Sequence, residues 1–236
     1  MQTLKQQTKK PNLSFEKKLW RKGYKFVAGV DEVGRGCFAG PVVAGAVVFA
    51  PNSKFQFPIS SSENKIWIND SKKLTPRQRE SASEWIKQNA MAWGIGEAPA
   101  SLINRIGMGK ATKVAFRRAI SSCRSKSRID FLLIDAFYIP WVSGLRRKNQ
   151  KAIIDGDEKS VTIGAASIIA KVYRDKLMRE LSRKHPSYGW GRNKGYGTRE
   201  HRLAIRKNGV TRFHRRVFVQ TFADKSKFQI PNFKSN

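Results

Sequence analysis

Short apolar runs that end in carboxylates constrain this chain most. Residues 26–30 and 42–49 are apolar and rich in valine, and the first run ends at Asp31 and Glu32. Phe131-Leu-Leu-Ile134 ends at Asp135, and Ala152-Ile-Ile154 continues into Asp155-Gly156-Asp157. Runs of this length and β-branched content predict buried strands. Between them the period changes. Thr75-Pro76-Arg77-Gln78 predicts a helix start, with Thr75 as cap, Pro76 at the first helical position and Gln78 closing a capping box. Ala82, Trp85, Ile86 and Asn89 then share one side. Residues 91–97 predict a third strand. Residues 101–122 predict a helix with Ile103, Ile106, Val114 and Ala119 apolar, weakened by Gly107 and Gly109. Ala166, Ile169, Tyr173, Leu177 and Leu181 recur every three or four residues, so an amphipathic helix runs from Ala165 to His185-Pro186. Thr198 predicts the cap of a last basic helix that stops near Asn208-Gly209. Strands alternating with helices predict an α/β sheet.

The charge balance narrows the partners. The chain has 236 residues, with 47 Lys and Arg against 17 Asp and Glu, a formal net charge of +30. Self-repulsion on that scale destabilises a compact state, so a polyanionic partner is expected, nucleic acid before an anionic membrane surface. The longest apolar stretch, residues 41–50, is half of the roughly 20 residues that a spanning helix needs. The first residues lack the apolar core of a secretion signal. Cys37 and Cys123 form no Cys-x-x-Cys pair and read as reduced thiols of a cytoplasmic protein. His185, His201 and His214 lack metal-site spacing and read as solvated or phosphate-facing. Residues 1–22 are basic, and Leu13, Phe15 and Leu19 fit either a short helix or a frayed tail. Pro51, Pro58 and Ser60-Ser61-Ser62 predict a surface loop over 50–66.

A lone Asp after a strand is most often a turn former or a cap. Asp31, Glu32, Asp135 and Asp157 together are different, because separate strands ending at one sheet edge bring their acids into a cluster. Such a cluster repels itself unless cations neutralise it, and oxygen-only ligands suit Mg2+ or Mn2+. Neighbouring strand residues face opposite sides, so Asp31 and Glu32 share a site only if the strand breaks there. Gly34 and Gly36 make a sharp turn available. Asp155 and Asp157 would face the same side of a regular strand, and spacing does not choose between them.

In order along the chain stand Gly29-Val-Asp-Glu-Val-Gly-Arg-Gly36, Asn69-Asp-Ser-Lys-Lys-Leu74, Leu133-Ile-Asp135, Gly156-Asp157, Ala165-Ala-Ser-Ile-Ile-Ala-Lys-Val-Tyr-Arg-Asp175 and Asn193-Lys-Gly-Tyr-Gly-Thr198. This ordered set, between about residues 27 and 218, closely resembles ribonuclease HII, the type 2 ribonuclease H family. The resemblance implies an α/β ribonuclease H-like mixed sheet flanked by helices, with a helical C-terminal extension. It divides the chain into a basic N-terminal segment (1–22), a catalytic domain (23–180) and a basic extension (181–236). It implies metal-dependent cleavage of RNA in RNA–DNA hybrids and at ribonucleotides embedded in duplex DNA, by a monomer with Mg2+ or Mn2+. The four ligands fall on Asp31, Glu32, Asp135 and Asp157, the Gly-Asp match favouring Asp157 over Asp155. The backbone of Gly34, Arg35 and Gly36 would contact the ribose 2′-hydroxyl. Tyr196 would stack on the following deoxyribose, and Ser71, Lys72 and Lys73 would take phosphates. The chain departs from the family pattern at Asp155, where relatives often have Lys, and at Ala136-Phe137, where many have Gly.

Arg183, Lys184, Arg192, Lys194, Arg199 and Arg202, then Arg206, Lys207, Arg212, Arg215 and Arg216, surround a single acid, Glu200. Tyr188, Trp190, Tyr196 and Phe213 lie among them. The stretch reads as a groove for a duplex backbone, since Lys and Arg neutralise phosphates without reading sequence. A non-catalytic basic binding protein would explain the charge but not four acids at strand ends. Another nuclease on the same fold would lack the Gly-Arg-Gly turn and the Tyr196 segment.

Overall fold

The computed structural model describes residues 10–51, 59–60, 65–66, 68 and 71–225. Most of the expected loop over 50–66 lies outside the described residues, as do 1–9, Asn69 and Asp70. The centre is a five-stranded mixed sheet made of β1 (Val27–Val33), β2 (Val42–Val48), β5 (Ala92–Ala98), β6 (Phe131–Asp135) and β7 (Gln150–Ile153), in the order β5-β2-β1-β6-β7. β1 pairs antiparallel with β2, and β2 with β5; β6 lies parallel to β1, and β7 parallel to β6. The two-residue strands β3 (Ile59–Ser60) and β4 (Lys65–Ile66) form a separate ribbon.

Helices cover both faces of the sheet. α2 (Pro76–Asn89) begins with the expected capping box between Thr75 and Gln78. Ala82 and Ile86 are buried, while Asn89 is exposed. The helix expected over 101–122 is two helices, α3 (Ala100–Ile106) and α4 (Met108–Arg124). They meet at Gly107, whose φ of 80° breaks the helical path. Ala115, Phe116 and Ala119 of α4 pack on Ala28 and Val30 of β1 and on Leu132 and Ile134 of β6. On the opposite face α5 (Val161–Lys184) packs Ala165, Ala166 and Ile169 against β2 and α2. The first half of α5 is buried all round, which is why its polar stripe emerges only after Ala170. α5 lies unusually close to the sheet because β1 and β2 present glycines to it. A Cβ on Gly29 would sit 2.1 Å from the Thr162 carbonyl carbon, and one on Gly45 would sit 2.3 Å from Ala166 O.

The N-terminal segment holds a helix, α1 (Ser14–Arg21), whose Leu19, Phe15 and Trp20 pack against β1, β6, β7 and Ile163 of α5. Beyond α5 come a short turn, α6 (Trp190–Asn193), and α7 (Arg199–Asn208), capped by Thr198 as expected. α7 is not the last helix, because α8 (Arg216–Lys225) follows it. These pieces share a satellite core of Met178, Tyr188, Trp190, Ile205 and Val219. Tyr188, Trp190 and Arg215 are therefore interior residues, not part of the surface that the basic stretch predicted. His201 and His214 are also buried, contrary to the solvated reading. Each makes ring contacts with Tyr188 and Trp190, where an imidazole contributes packing as well as hydrogen bonds.

Candidate active site

A cavity of about 500 Å3 opens where β1 outruns its neighbour. β1 pairs with β6 only as far as Val30↔Ile134, yet it stays paired with β2 through Val33. The strand therefore does not break between Asp31 and Glu32, as a shared site was expected to require. The cavity instead wraps around the exposed edge of β1. Gly29 faces α5, so by alternation Asp31 faces α5 too, and in the parallel register Asp135 follows Ile134 beside it. Glu32 points to the other face, past the end of β6, and still lines the cavity. Asp157 arrives differently from the strand end that was expected. β7 stops at Ile153, Asp155 turns left-handed at φ 51°, and Asp157 lies in the 3-10 turn Gly156–Glu158 ahead of α5. Asp157 is buried and lines the cavity, whereas Asp155 is exposed beside Lys159 at 3.8 Å.

The carboxylates are held by short local bonds. Glu32 N–H donates to Asp31 Oδ1 at 2.7 Å, Gly156 N–H donates to Asp135 Oδ1 at 2.7 Å, and Arg35 reaches Glu32 Oε1 at 3.2 Å. Burial pushes the Asp31 carboxyl well above the usual range, and the charges of Glu32, Asp135 and Asp157 add to that, while Ser167 opposes it. Burial raises Glu32 as well, with Arg35 opposing. Among the described residues, Glu32 Oε2 is buried with no hydrogen-bond partner. Among the described residues no three acidic, histidine or cysteine side chains converge on one ion position as they stand. The donor set nevertheless fits a hard divalent cation, being oxygen only, self-repelling and under-satisfied at Glu32.

The rest of the wall brings together residues far apart in sequence. Gly34, Arg35, Ser71, Lys72 and Tyr196 line the cavity with the acids. Gly36 and Lys73 do not. Lys73 pairs with Glu158 at 2.8 Å, which ties the 71–74 turn to the turn that carries Asp157. Gly34 has φ 85°, and a Cβ there would meet Arg174 Nε at 2.2 Å. The 38–40 loop and the Tyr196 loop are zipped by Phe38 N–H and Ala39 N–H, both donating to Gly195 O. Two buried guanidinium groups lock this arrangement. Arg174 donates to Pro41 O, Ala39 O and Lys194 O, and Arg215 donates to Gly40 O and Arg35 O.

Sequence reasoning missed Ser167, Lys171 and Arg174 on the cavity wall and Glu16 behind it. The first three lie in the quoted segment Ala165–Asp175 at spacings of three and four, which was a usable signal. Glu16 had none. It is fully buried, and its Oε1 accepts from Ser160 Oγ, Thr162 N–H and Thr162 Oγ1, so α1 fixes the start of α5 directly after Asp157.

The sequence profile described as Ribonuclease HII matches residues 28–221. The chain belongs to the ribonuclease HII family. Membership makes it a hydrolase, an endonuclease of the ribonuclease H type. A ribonuclease HII from Desulfitobacterium hafniense is 46% identical over 204 residues, covering 86% of this chain and 72% of the relative. The ribonuclease H2 structure from Pyrococcus horikoshii OT3 shares the fold, with a TM-score of 0.65 at 23% identity over 86% of this chain and 100% of that one. Bst-RNase HIII, solved in complex with Mn2+, has a TM-score of 0.61 at 18% identity over 84% of this chain and 65% of that one. Ribonuclease H enzymes depend on divalent metal ions. Among the described residues, no helix is long and apolar enough to cross a membrane.

Proposed function

We propose that this ribonuclease HII chain cleaves RNA in RNA–DNA hybrids and at single ribonucleotides embedded in duplex DNA, on the 5′ side of the ribonucleotide. The products are a 3′-hydroxyl and a 5′-phosphate. The observation that carries this reading is the meeting of four carboxylates with the Gly34-Arg35 turn, Ser71-Lys72 and Tyr196 around one cavity. Asp31, Glu32, Asp135 and Asp157 would hold Mg2+ or Mn2+. When bound, such an ion activates water and stabilises charge on the phosphate and the leaving oxygen.

The chain's own residues do the rest. Glycine at 34 lets the backbone approach a 2′-hydroxyl closely, with Arg35 and Gly36 completing the turn, and the 2′-hydroxyl is the group that separates RNA from DNA. The Tyr196 ring, held across the cavity, packs on the next sugar and senses its missing hydroxyl. Ser71 and Lys72 take phosphates, so the scissile bond is oriented over the acids, and Lys73, outside the cavity, takes a phosphate farther along the strand in exchange for its pair with Glu158. Residues 23–180 act as the catalytic unit, with 1–22 as a basic lead segment and 181–236 as a basic extension that grips the duplex backbone, in a cytoplasmic monomer.

The test is a DNA duplex carrying one ribonucleotide, incubated with and without Mg2+ or Mn2+, with the nick mapped. Cleavage 5′ to the ribonucleotide, lost in Asp135→Asn with the fold intact, is the expected outcome. Nicking without metal, or full activity of Asp135→Asn at low metal, would refute it.

A further inference from the structure

The loop between β6 and β7 carries a feature that the active-site reading leaves unused. It begins directly after Asp135, and residues 136–154 contain no acid. Trp141 is 90% exposed and Tyr138 is 40% exposed. A fully hydrated indole forgoes the largest apolar burial that any side chain offers, and Trp141 also holds φ at 58°, which bulky residues avoid.

The loop is nonetheless firmly built. Ile139 and Val142 are buried in the core under α4. Gln150 brackets Ile139, its Oε1 accepting the Ile139 N–H and its Nε2 donating to the Ile139 O, each at 3.1 Å. Arg117 donates to Pro140 O at 3.1 Å, and Arg124 donates to Ser143 O. The exposed rings are thus presented by a braced scaffold. Backbone strain at an exposed aromatic on rigid support points to a contact made outside the chain.

The surroundings specify that contact. The guanidinium of Arg147 lies over the Tyr138 ring at 3.5 Å, and Arg146 and Lys148 beside it are exposed. Phe137 lies under the guanidinium of Arg35, 5.5 Å from its ring centroid, which joins the loop to the cavity wall. The loop starts at the cavity wall and, because β7 lies parallel to β6, runs to the other end of the sheet, where Asn149 donates to Asp130 O. Exposed aromatic rings among cations on such a loop match the chemistry of a duplex running past it, where flat rings pack on sugars and cations take phosphates.

Resting on the ribonuclease reading above, we infer that the 136–149 loop is a second substrate-binding surface. It grips the duplex on one flank of the cleaved ribonucleotide, through Trp141 and the Tyr138–Arg147 stack against backbone sugars and through Arg146 and Lys148 against phosphates. This surface is separate from the basic extension over 181–216.

The experiment measures affinity by fluorescence anisotropy in EDTA, so that cleavage does not intervene. The probes are duplexes with one ribonucleotide whose flanks are extended on one side or the other. Wild-type affinity should rise as one flank lengthens. Trp141→Ala should lose about 5- to 20-fold on that long flank, the scale of one interface aromatic truncated to alanine, and should bind the trimmed duplex as wild type does. Arg146→Ala with Lys148→Ala should flatten the slope of log K against log salt by about 0.9 for each phosphate contact removed. Unchanged long-flank affinity in Trp141→Ala would overturn the inference and assign the surface to a protein partner or a second copy. Equal losses on long and trimmed duplexes would overturn it too. The two readings fail separately: a wild type that cannot nick the duplex with metal sinks the ribonuclease reading, whereas a wild type that nicks while Trp141→Ala binds normally sinks only the loop.

Discussion

Acidification should destabilise the protein through a buried histidine pair behind Tyr196. Thr211 N–H donates to His214 Nδ1 at 2.8 Å, so His214 carries its proton on Nε2, which faces His201 Nε2 at 3.2 Å. Trp190 Nε1–H also donates to His201 Nε2, leaving His201 Nδ1–H to donate to Tyr196 O at 2.9 Å. This chain of bonds needs both rings neutral. Burial, with the neighbouring His201 and His185, pushes His214 down to about 3, and burial lowers His201 as well. The unfolded chain binds the His214 proton near pH 6.5 while the native state refuses it until about pH 3. Stability is therefore complete above pH 6.5 and falls as the pH drops through that window. Each pH unit costs about 1.4 kcal/mol, so His214 alone removes about 2 kcal/mol at pH 5. Asp31 and Glu32 act in the opposite sense, because their raised carboxyls take up protons more readily in the native state. Urea unfolding at pH 7.5 and pH 5, run on wild type and on His214→Asn, cancels that common contribution. The variant should be weaker at pH 7.5, since a buried hydrogen-bond partner is changed, but should lose about 2 kcal/mol less than wild type on going to pH 5. Identical pH dependence in the two proteins would refute the reasoning.

Two further outcomes follow from backbone geometry around the acids. Ala136 holds φ at 61° while its N–H donates to Ile153 O at 2.9 Å, so Ala136→Gly should relieve left-handed strain and raise the urea unfolding free energy by about 0.5–1 kcal/mol; a loss of stability would show that the strain is absent. Asp157→Asn should abolish metal-dependent cleavage and weaken Mn2+ binding measured by calorimetry, whereas Asp155→Asn should leave Mn2+ affinity near wild type, because Asp155 is turned to solvent beside Lys159; the reverse ranking would make Asp155 the ligand.

The sequence by itself determined the main strands and most helix starts, but not the break at Gly107 between α3 and α4 or the last helix, α8. Apolar runs with β-branched residues became β1, β2, β6 and β7, and the capping residues Thr75 and Thr198 marked helix starts within one turn, because these signals act over a few residues. It also singled out the four acids as a group, since each stands at or just past an apolar run. Three matters were decided only by the tertiary structure. Asp31 and Glu32 share a cavity without a strand break because β6 stops pairing with β1 at Ile134, a register that no local pattern encodes. Asp157 and Asp155 part company because β7 ends at Ile153 and a left-handed residue intervenes, which moves one acid inside and the other out. The basic C-terminal stretch reads as one uniform surface in sequence, yet folding buries Arg215 against backbone carbonyls and His201 and His214 against Trp190. Charge type alone does not tell a solvated guanidinium from a buried one. That difference depends on carbonyls left unpaired by the 35–41 turn, and those exist only once the chain has folded around them.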